Sequence, residues 1–187
     1  VPVNAPPDHL DHTDPDQIDH LVREWRQELP DIADVHLELT RRIGNLHRLL
    51  ADAAHRELSR LGHTYAEYEV LGALRRVGHP YVMKPGRLSG ELNLSTGGTS
   101  NVLRRLSEAR LVSRRTDEAD GRSSLVTLTP EGVAAAERAV MAVAEGHRRL
   151  LQWVPESTAR ALADLLREVA AHTRVDPWIQ KSIQPRR

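Results

Sequence analysis

The sequence predicts a mainly α fold with a small β wing. Three observations predict it. Apolar residues recur at three- and four-residue steps over most of the 187 residues. KPGRLSGELN and LSTGGTSNVLRRLSEARL read as two helices joined by a short turn. VSRRTDEADGRSSLVTLT, directly behind them, reads as a charged hairpin.

Taken in order, residues 1–14 form an acidic, Pro-rich tail that should be mobile and that carries His9 and His12. Ile18 to Asp31 is an amphipathic helix closed by Leu29-Pro30. Ile32, Val35, Leu39, Ile43, Leu46, Leu50 and Ala53 then make the apolar seam of one long helix, from about Asp31 to Leu61. Thr64-Tyr65-Ala66-Glu67 is a capping box, in which the Thr hydroxyl and the Glu carboxylate each satisfy an orphan amide. The helix it opens runs to about Val77 and buries Val70, Leu71 and Leu74. Tyr81-Val82-Met83 is a short strand able to pair with the wing. Thr129-Pro130-Glu131 starts the next helix, with Thr as cap and Pro at the first helical position. Val133, Val140, Val143, Leu150 and Leu151 lie along it, and Pro155 ends it. A last helix, Ser157 to about Arg174, presents Leu162, Leu165, Leu166 and Val169.

The second helix of the central pair carries the chemistry. Ser95 is its N-cap. Val102, Leu103 and Leu106 form a stripe that docks on the preceding helix. Thr96, Thr99, Ser100, Asn101, Arg104 and Arg105 are left for the outer face. Short polar donors near the helix start and arginines further on suit a helix lying in the major groove of duplex DNA. In the hairpin, Leu111-Val112 and Leu125 to Leu128 are the strands and Asp117 to Ser123 the turn, with Asp120-Gly121 as the turn dipeptide. Arg114, Arg115 and Arg122 flank or cap that turn, and Asp120 can pair with Arg122 and aim it. An arginine at a hairpin tip can enter the minor groove, where the potential is most negative.

The charge distribution fits this reading. The chain has no net charge, yet residues 1–38 hold ten acids against two bases, a balance of −8. Residues 84–122 hold eight bases against five acids, a balance of +3. A local basic patch is what phosphate neutralisation needs. Cysteine is absent, which removes disulfides, thiolate metal sites and a cysteine nucleophile. No apolar run approaches the roughly 20 residues of a membrane span and no signal-peptide core is present, so the expected location is cytoplasmic. Gly97-Gly98 lacks the spacing of a phosphate loop, and no G-x-S-x-G elbow occurs. The chain is therefore not expected to be an enzyme, and no cofactor or metal is expected. His47 and His55 share a helix face but lie too far apart for one metal ion, and no H-x-x-x-H pair occurs.

These motifs resemble the MarR family. The resemblance rests on Leu88-Ser89-Gly90-Glu91-Leu92, Ser95 to Leu106, Leu111 to Arg114, Asp120-Gly121-Arg122 and Val126-Thr127-Leu128-Thr129-Pro130-Glu131-Gly132. It spans about residues 31 to 173. It implies a winged helix-turn-helix plus a helical dimerisation region, in a homodimer that binds duplex DNA at a pseudo-palindromic operator. It places Arg122 in the minor groove and the helix from Ser95 to Ala109 in the major groove. Arg110 departs from it, standing where many relatives have the Gly of a left-handed helix exit.

The domain scheme that follows is a tail (1–14), N-terminal dimerisation helices (15–61), a DNA-binding domain (62–130), C-terminal dimerisation helices (131–176) and a second tail (177–187). Two long apolar seams exceed what a small wing domain can cover, and a two-fold partner would set two recognition helices about one DNA turn, roughly 34 Å, apart.

The extra helix before residue 31 and Tyr68-Glu69-Val70-Leu71-Gly72-Ala73-Leu74-Arg75-Arg76 are similar to the urate-responsive subgroup of the family. That resemblance implies a small-molecule effector between the dimer helices and the winged domain. Trp25, His47, Tyr68 and Glu69 are the candidate effector residues; Trp25 is equally readable as a core anchor. Glu69 stands where the subgroup has Asp and Val102 where it has Arg, which removes a natural partner for an anionic ligand. The expected function is a transcriptional regulator, a repressor released by its effector. The alternatives are an architectural or effector-independent DNA-binding dimer, a zinc-responsive regulator whose site is assembled from separate elements, and an interaction module on the same fold.

Overall fold

The computed structural model describes residues 15–92, 94–117 and 120–173, and the side chains of 117 and 120–123 lie outside the described part. The chain divides into two compact units, Val1–Ala53 and Ala54–Arg187.

The first unit holds helix α1 (Gln17–Glu28), a 3-10 turn (Pro30–Ile32) and most of helix α2 (Val35–Arg60). Asp16 caps α1: its carboxylate accepts from the amides of Ile18 and Asp19 at 2.8 and 3.0 Å, and Asp19 accepts the Asp16 amide at 2.8 Å. Arg42 of α2 then reaches Asp16 at 2.6 Å, Asp19 at 2.7 Å and Glu38 at 2.9 Å. One guanidinium thus clasps the start of α1 to α2. The Asp19 amide and the Arg42 guanidinium hold the Asp16 carboxyl below its ordinary value.

The long helix starts four residues later than the seam suggested. Asp34 accepts from the amides of His36 and Leu37 at 2.9 and 3.0 Å, so it occupies the cap and Ile32 belongs to the 3-10 turn. Leu29, Ile32, Val35, Leu39 and Ile43 remain exposed.

The second unit takes the last turns of α2, from Ala54, and then α3 (Tyr65–Arg76), β1 (Val82–Met83), α4 (Pro85–Glu91), α5 (Thr96–Glu108), β2 (Val112–Asp117), β3 (Asp120–Leu128), α6 (Pro130–Leu150) and α7 (Glu156–Thr173). The strands form one antiparallel sheet in the order β1-β3-β2, with Val82 opposite Thr127 and Val112 opposite Leu128. Val70, Leu71 and Leu74 of α3 meet Met83, Leu88, Leu103, Leu106, Val112, Val126 and Leu128 in the main core. A smaller cluster packs Ala54 and Leu58 against Ala139 and Val143.

Both capping signals here hold. Thr64 and Glu67 exchange hydrogen bonds at 3.2 and 2.8 Å, and Thr129 caps α6 by accepting the Gly132 amide at 2.9 Å. Thr129 also donates to the Arg110 carbonyl at 2.8 Å and gives its amide to the Leu111 carbonyl at 3.1 Å. That knot fixes the start of α6 against the start of the wing. It leaves no room for a side chain at residue 132, where a Cβ would sit 1.8 Å from the Leu111 carbonyl oxygen.

The wing strands are longer than their apolar cores indicated. Asp120-Gly121, expected as the turn, lies in β3, and Asp117 pairs with Asp120. The pairs Arg115–Leu125 and Thr116–Ser124 extend the ladder past the apolar residues, because ladder hydrogen bonds join backbone groups and do not require apolar side chains. Helix α7 buries none of its residues, and Leu162, Leu165, Leu166 and Val169 are 38–59% exposed. Among the described residues, no helix is long and apolar enough to cross a membrane.

Candidate nucleic-acid interface

Helix α5 owes its placement to α3 and α4. Leu103 and Leu106 are buried and Val102 packs beside them. Ser95 caps the helix by accepting the Gly98 amide at 3.0 Å. Opposite the apolar stripe, Ser95, Thr96, Ser100, Asn101 and Arg104 are all exposed. Thr96, Ser100 and Arg104 follow one another at four-residue steps, so they form a single ridge along the helix. Arg104 donates to Asn101 at 3.0 Å and to Glu108 at 2.6 Å. A guanidinium has five N–H donors, so this pairing leaves donors for a phosphate or a base edge.

Two residues assigned to that face are placed otherwise. Thr99 is buried at 1% exposure, and its hydroxyl oxygen accepts the Ser89 hydroxyl at 2.8 Å across the α4–α5 junction. It cannot touch DNA without unpacking the helix pair. Arg105 turns toward α3, with its Nε 3.0 Å from the buried carboxylate of Glu67. About half of its side chain is exposed, and its direction is set by that ion pair.

The helix ends in a Schellman motif. The Arg110 amide reaches the Ser107 carbonyl at 3.0 Å and the Leu111 amide reaches the Leu106 carbonyl at 2.9 Å. Arg110 itself has φ +58°. The left-handed exit is therefore present without its glycine, at a backbone cost of roughly 1–2 kcal/mol.

In the wing, Arg114 lies opposite Val126 and Arg115 opposite Leu125. Successive strand residues point to opposite faces, so the two exposed arginines serve different sides of the ribbon. Arg122 is on β3, and its side chain and its expected pairing with Asp120 lie outside the described residues. The other edge of the sheet is anchored by Tyr81, at φ +59°, whose carbonyl accepts the Leu128 amide at 3.3 Å. Arg75 sits 5.1 Å from the Tyr81 ring centre and donates to Glu137 of α6 at 2.8 Å. Near α4, Arg87 and Arg76 both donate to Glu91, at 2.7 and 2.9 Å, and hold its carboxyl below the ordinary value.

The candidate effector residues fall in different units. Trp25 is half-buried on α1 and His47 is exposed on α2, both in the first unit. Tyr68 and Glu69 line an open cleft of about 520 Å3 in the second unit, with Gly72, Arg75, Arg76 and Val140 around it. Burial pushes the Tyr68 hydroxyl up, and the Glu69 carboxylate adds to that. Among the described residues no group of three or more His, Asp or Glu could hold a metal ion, and His9 and His12 lie outside them.

Residues 61–123 match the model of the MarR family. The HTH-type transcriptional regulator PecS of Dickeya dadantii is 34% identical over 135 residues, which cover 71% of this chain and 80% of PecS. The chain belongs to the MarR family. A mutant E. coli MarR in complex with operator DNA superposes with a TM-score of 0.63 at 25% identity, over 78% of this chain and 96% of that one. AbsC of Streptomyces coelicolor, a MarR family transcriptional regulator, superposes with a TM-score of 0.66 at 23% identity, over 76% of this chain and 97% of that one. The fold is that of this family of transcriptional regulators: a winged helix-turn-helix with helices on both sides of it in the sequence.

Nothing in the sequence signals the Glu67–Arg105 pair, whose members are far apart in the chain. The burial of Thr99 did have a signal. Thr99, Leu103 and Leu106 lie at i, i+4 and i+7, so Thr99 continues the apolar stripe.

Proposed function

We propose that this protein is a dimeric, sequence-specific DNA-binding transcriptional regulator, and a repressor released by a small-molecule effector. The exposed ridge Thr96–Ser100–Arg104, held rigidly by a buried opposite face, carries the reading. It offers short polar donors at the helix start and a guanidinium further on, the order a major-groove helix needs. Arg114 and Arg115 add positive charge on the adjoining ribbon, where Arg122 is assigned to the minor groove.

A second copy of the chain would cover the apolar face of α7 and set two recognition helices on successive turns of the operator. The effector would enter the cleft beside Tyr68 and Glu69. It must bind the DNA-competent and the released states unequally, or it shifts nothing.

The test is an anisotropy titration on the promoter region beside the protein's own gene, at fixed salt, with and without a panel of aromatic acids, aromatic amines, urate and related metabolites. Tight, salt-dependent binding that one compound abolishes supports the full reading. Binding that no compound affects leaves an effector-independent regulator. No specific binding rejects the DNA-binding assignment.

A further inference from the structure

Glu67 and Thr99 are the two polar side chains buried among the described residues, and both hold α5. Thr99 receives the Ser89 hydroxyl of α4. Glu67 uses its two oxygens in different directions. One accepts the Thr64 amide at 2.8 Å and closes the cap of α3; the other lies 3.0 Å from Arg105 Nε on α5. The carboxylate is 7% exposed, so it is unavailable to solvent and shielded little by salt.

We propose that Glu67 is a positioning residue for operator binding, and that Arg105 acts through Glu67 rather than as a phosphate contact. A buried carboxylate that both closes the cap of α3 and grips α5 makes the recognition helix follow the start of α3. The guanidinium is directed by an ion pair with that buried carboxylate, and its flat, delocalised charge differs in shape from an ammonium's. This inference rests on the DNA-binding reading above and assigns different work to one of its arginines.

Salt dependence separates the two roles. A side chain that neutralises a phosphate contributes about 0.9 to the slope of log affinity against log salt, whereas a positioning residue contributes none. The sign of the Glu67 effect separates them again. If Glu67 only shields Arg105, removing its negative charge frees that arginine and tightens binding. If it positions α5, removing it weakens binding.

The experiment measures operator affinity across a salt series for Glu67→Gln, Arg105→Lys, their double variant and the charge-removing Arg105→Gln, in the whole chain. Glutamine retains the capping hydrogen bond to Thr64, and lysine retains the charge, so both should fold; helical circular dichroism and the thermal midpoint check this. Each single variant is expected to bind about tenfold more weakly, through the loss of the ion pair that aims the guanidinium, with the salt slope unchanged. The double variant should be no weaker than either single one, because both remove the same contact. Wild-type affinity in either single variant overturns the proposal. So does tighter binding by Glu67→Gln, or a slope in Arg105→Gln that is about 0.9 shallower than wild type. Absence of salt-sensitive binding by the wild-type protein would instead count against the DNA-binding reading itself.

Discussion

Replacing Gly132 by alanine tests whether the joint between the wing and α6 is as tight as the structure makes it. The added Cβ would lie 1.8 Å from the Leu111 carbonyl oxygen, 2.8 Å from its carbon and 3.3 Å from Leu111 Cα. Ordinary contacts of that kind begin near 3.0 Å, so backbone must move by more than an ångström on one side. The obstacle is main chain and cannot rotate away. The same carbonyl accepts the Thr129 amide at 3.1 Å, and the Thr129 hydroxyl holds Arg110 and caps Gly132.

Displacement therefore weakens one or two hydrogen bonds at about 1 kcal/mol each and adds overpacking strain of about 1–3 kcal/mol. A loss of about 2–5 kcal/mol would lower the thermal midpoint by roughly 4–20 °C for a chain of this size. Differential scanning calorimetry on purified protein measures it, with Gly90→Ala as the control. Gly90 sits in α4 with nothing within 4 Å of its would-be Cβ, so that change should be neutral or gain up to about 1 kcal/mol. Equal stability of Gly132→Ala and wild type would refute the close approach.

Three further outcomes are expected. Arg110→Gly relieves the left-handed backbone but frees the unfolded chain, and the balance of roughly 1–2 against 0.5–1 kcal/mol predicts a net gain of up to about 1.5 kcal/mol in denaturant unfolding. Leu165→Glu places a charge on the face of α7 at its most exposed leucine; the proposed two-fold interface would carry the change twice, so analytical ultracentrifugation should show self-association weakened by more than about a hundredfold. The Asp16 carboxyl is held below its ordinary value of 3.8 by the Asp19 amide and Arg42, so its contribution is present above that value and is lost as pH falls through the lower folded value. Amide protection along α1 should therefore collapse in acid below about pH 3.8 while that of α5 persists, and uniform loss along both helices would contradict the clasp.

Much of the fold was legible because it is written in local chemistry. Thr64, Ser95 and Thr129 cap where their side chains reach the next turn's amides, and the pattern around Leu103 and Leu106 decides which face of α5 goes inward. What escaped depends on competition or distance. Asp34 wins the start of α2 from the apolar seam because a cap satisfies amides that a continuing helix through Ile32 would satisfy differently. The wing strands run past their apolar cores because backbone ladders do not need apolar side chains.

Thr99 is polar by residue type yet sits at the spacing of the buried stripe; a hydroxyl partner on α4 makes its burial tolerable. Arg105 falls on the outer face in the sequence pattern because nothing there joins it to Glu67, the carboxylate it is aimed at in the structure. The ridge of Thr96, Ser100 and Arg104 was readable from the sequence, since it is what remains once the apolar stripe is removed.

The central claim is that this ridge and the wing grip duplex DNA, and the most direct test is the salt-dependent affinity of Arg104→Ala and Arg122→Ala for the promoter duplex beside the protein's own gene. The account predicts a loss of about 1–3 kcal/mol for each, with the salt slope falling by up to about 0.9 where a phosphate contact is removed. Wild-type affinity and slope in both variants would contradict it.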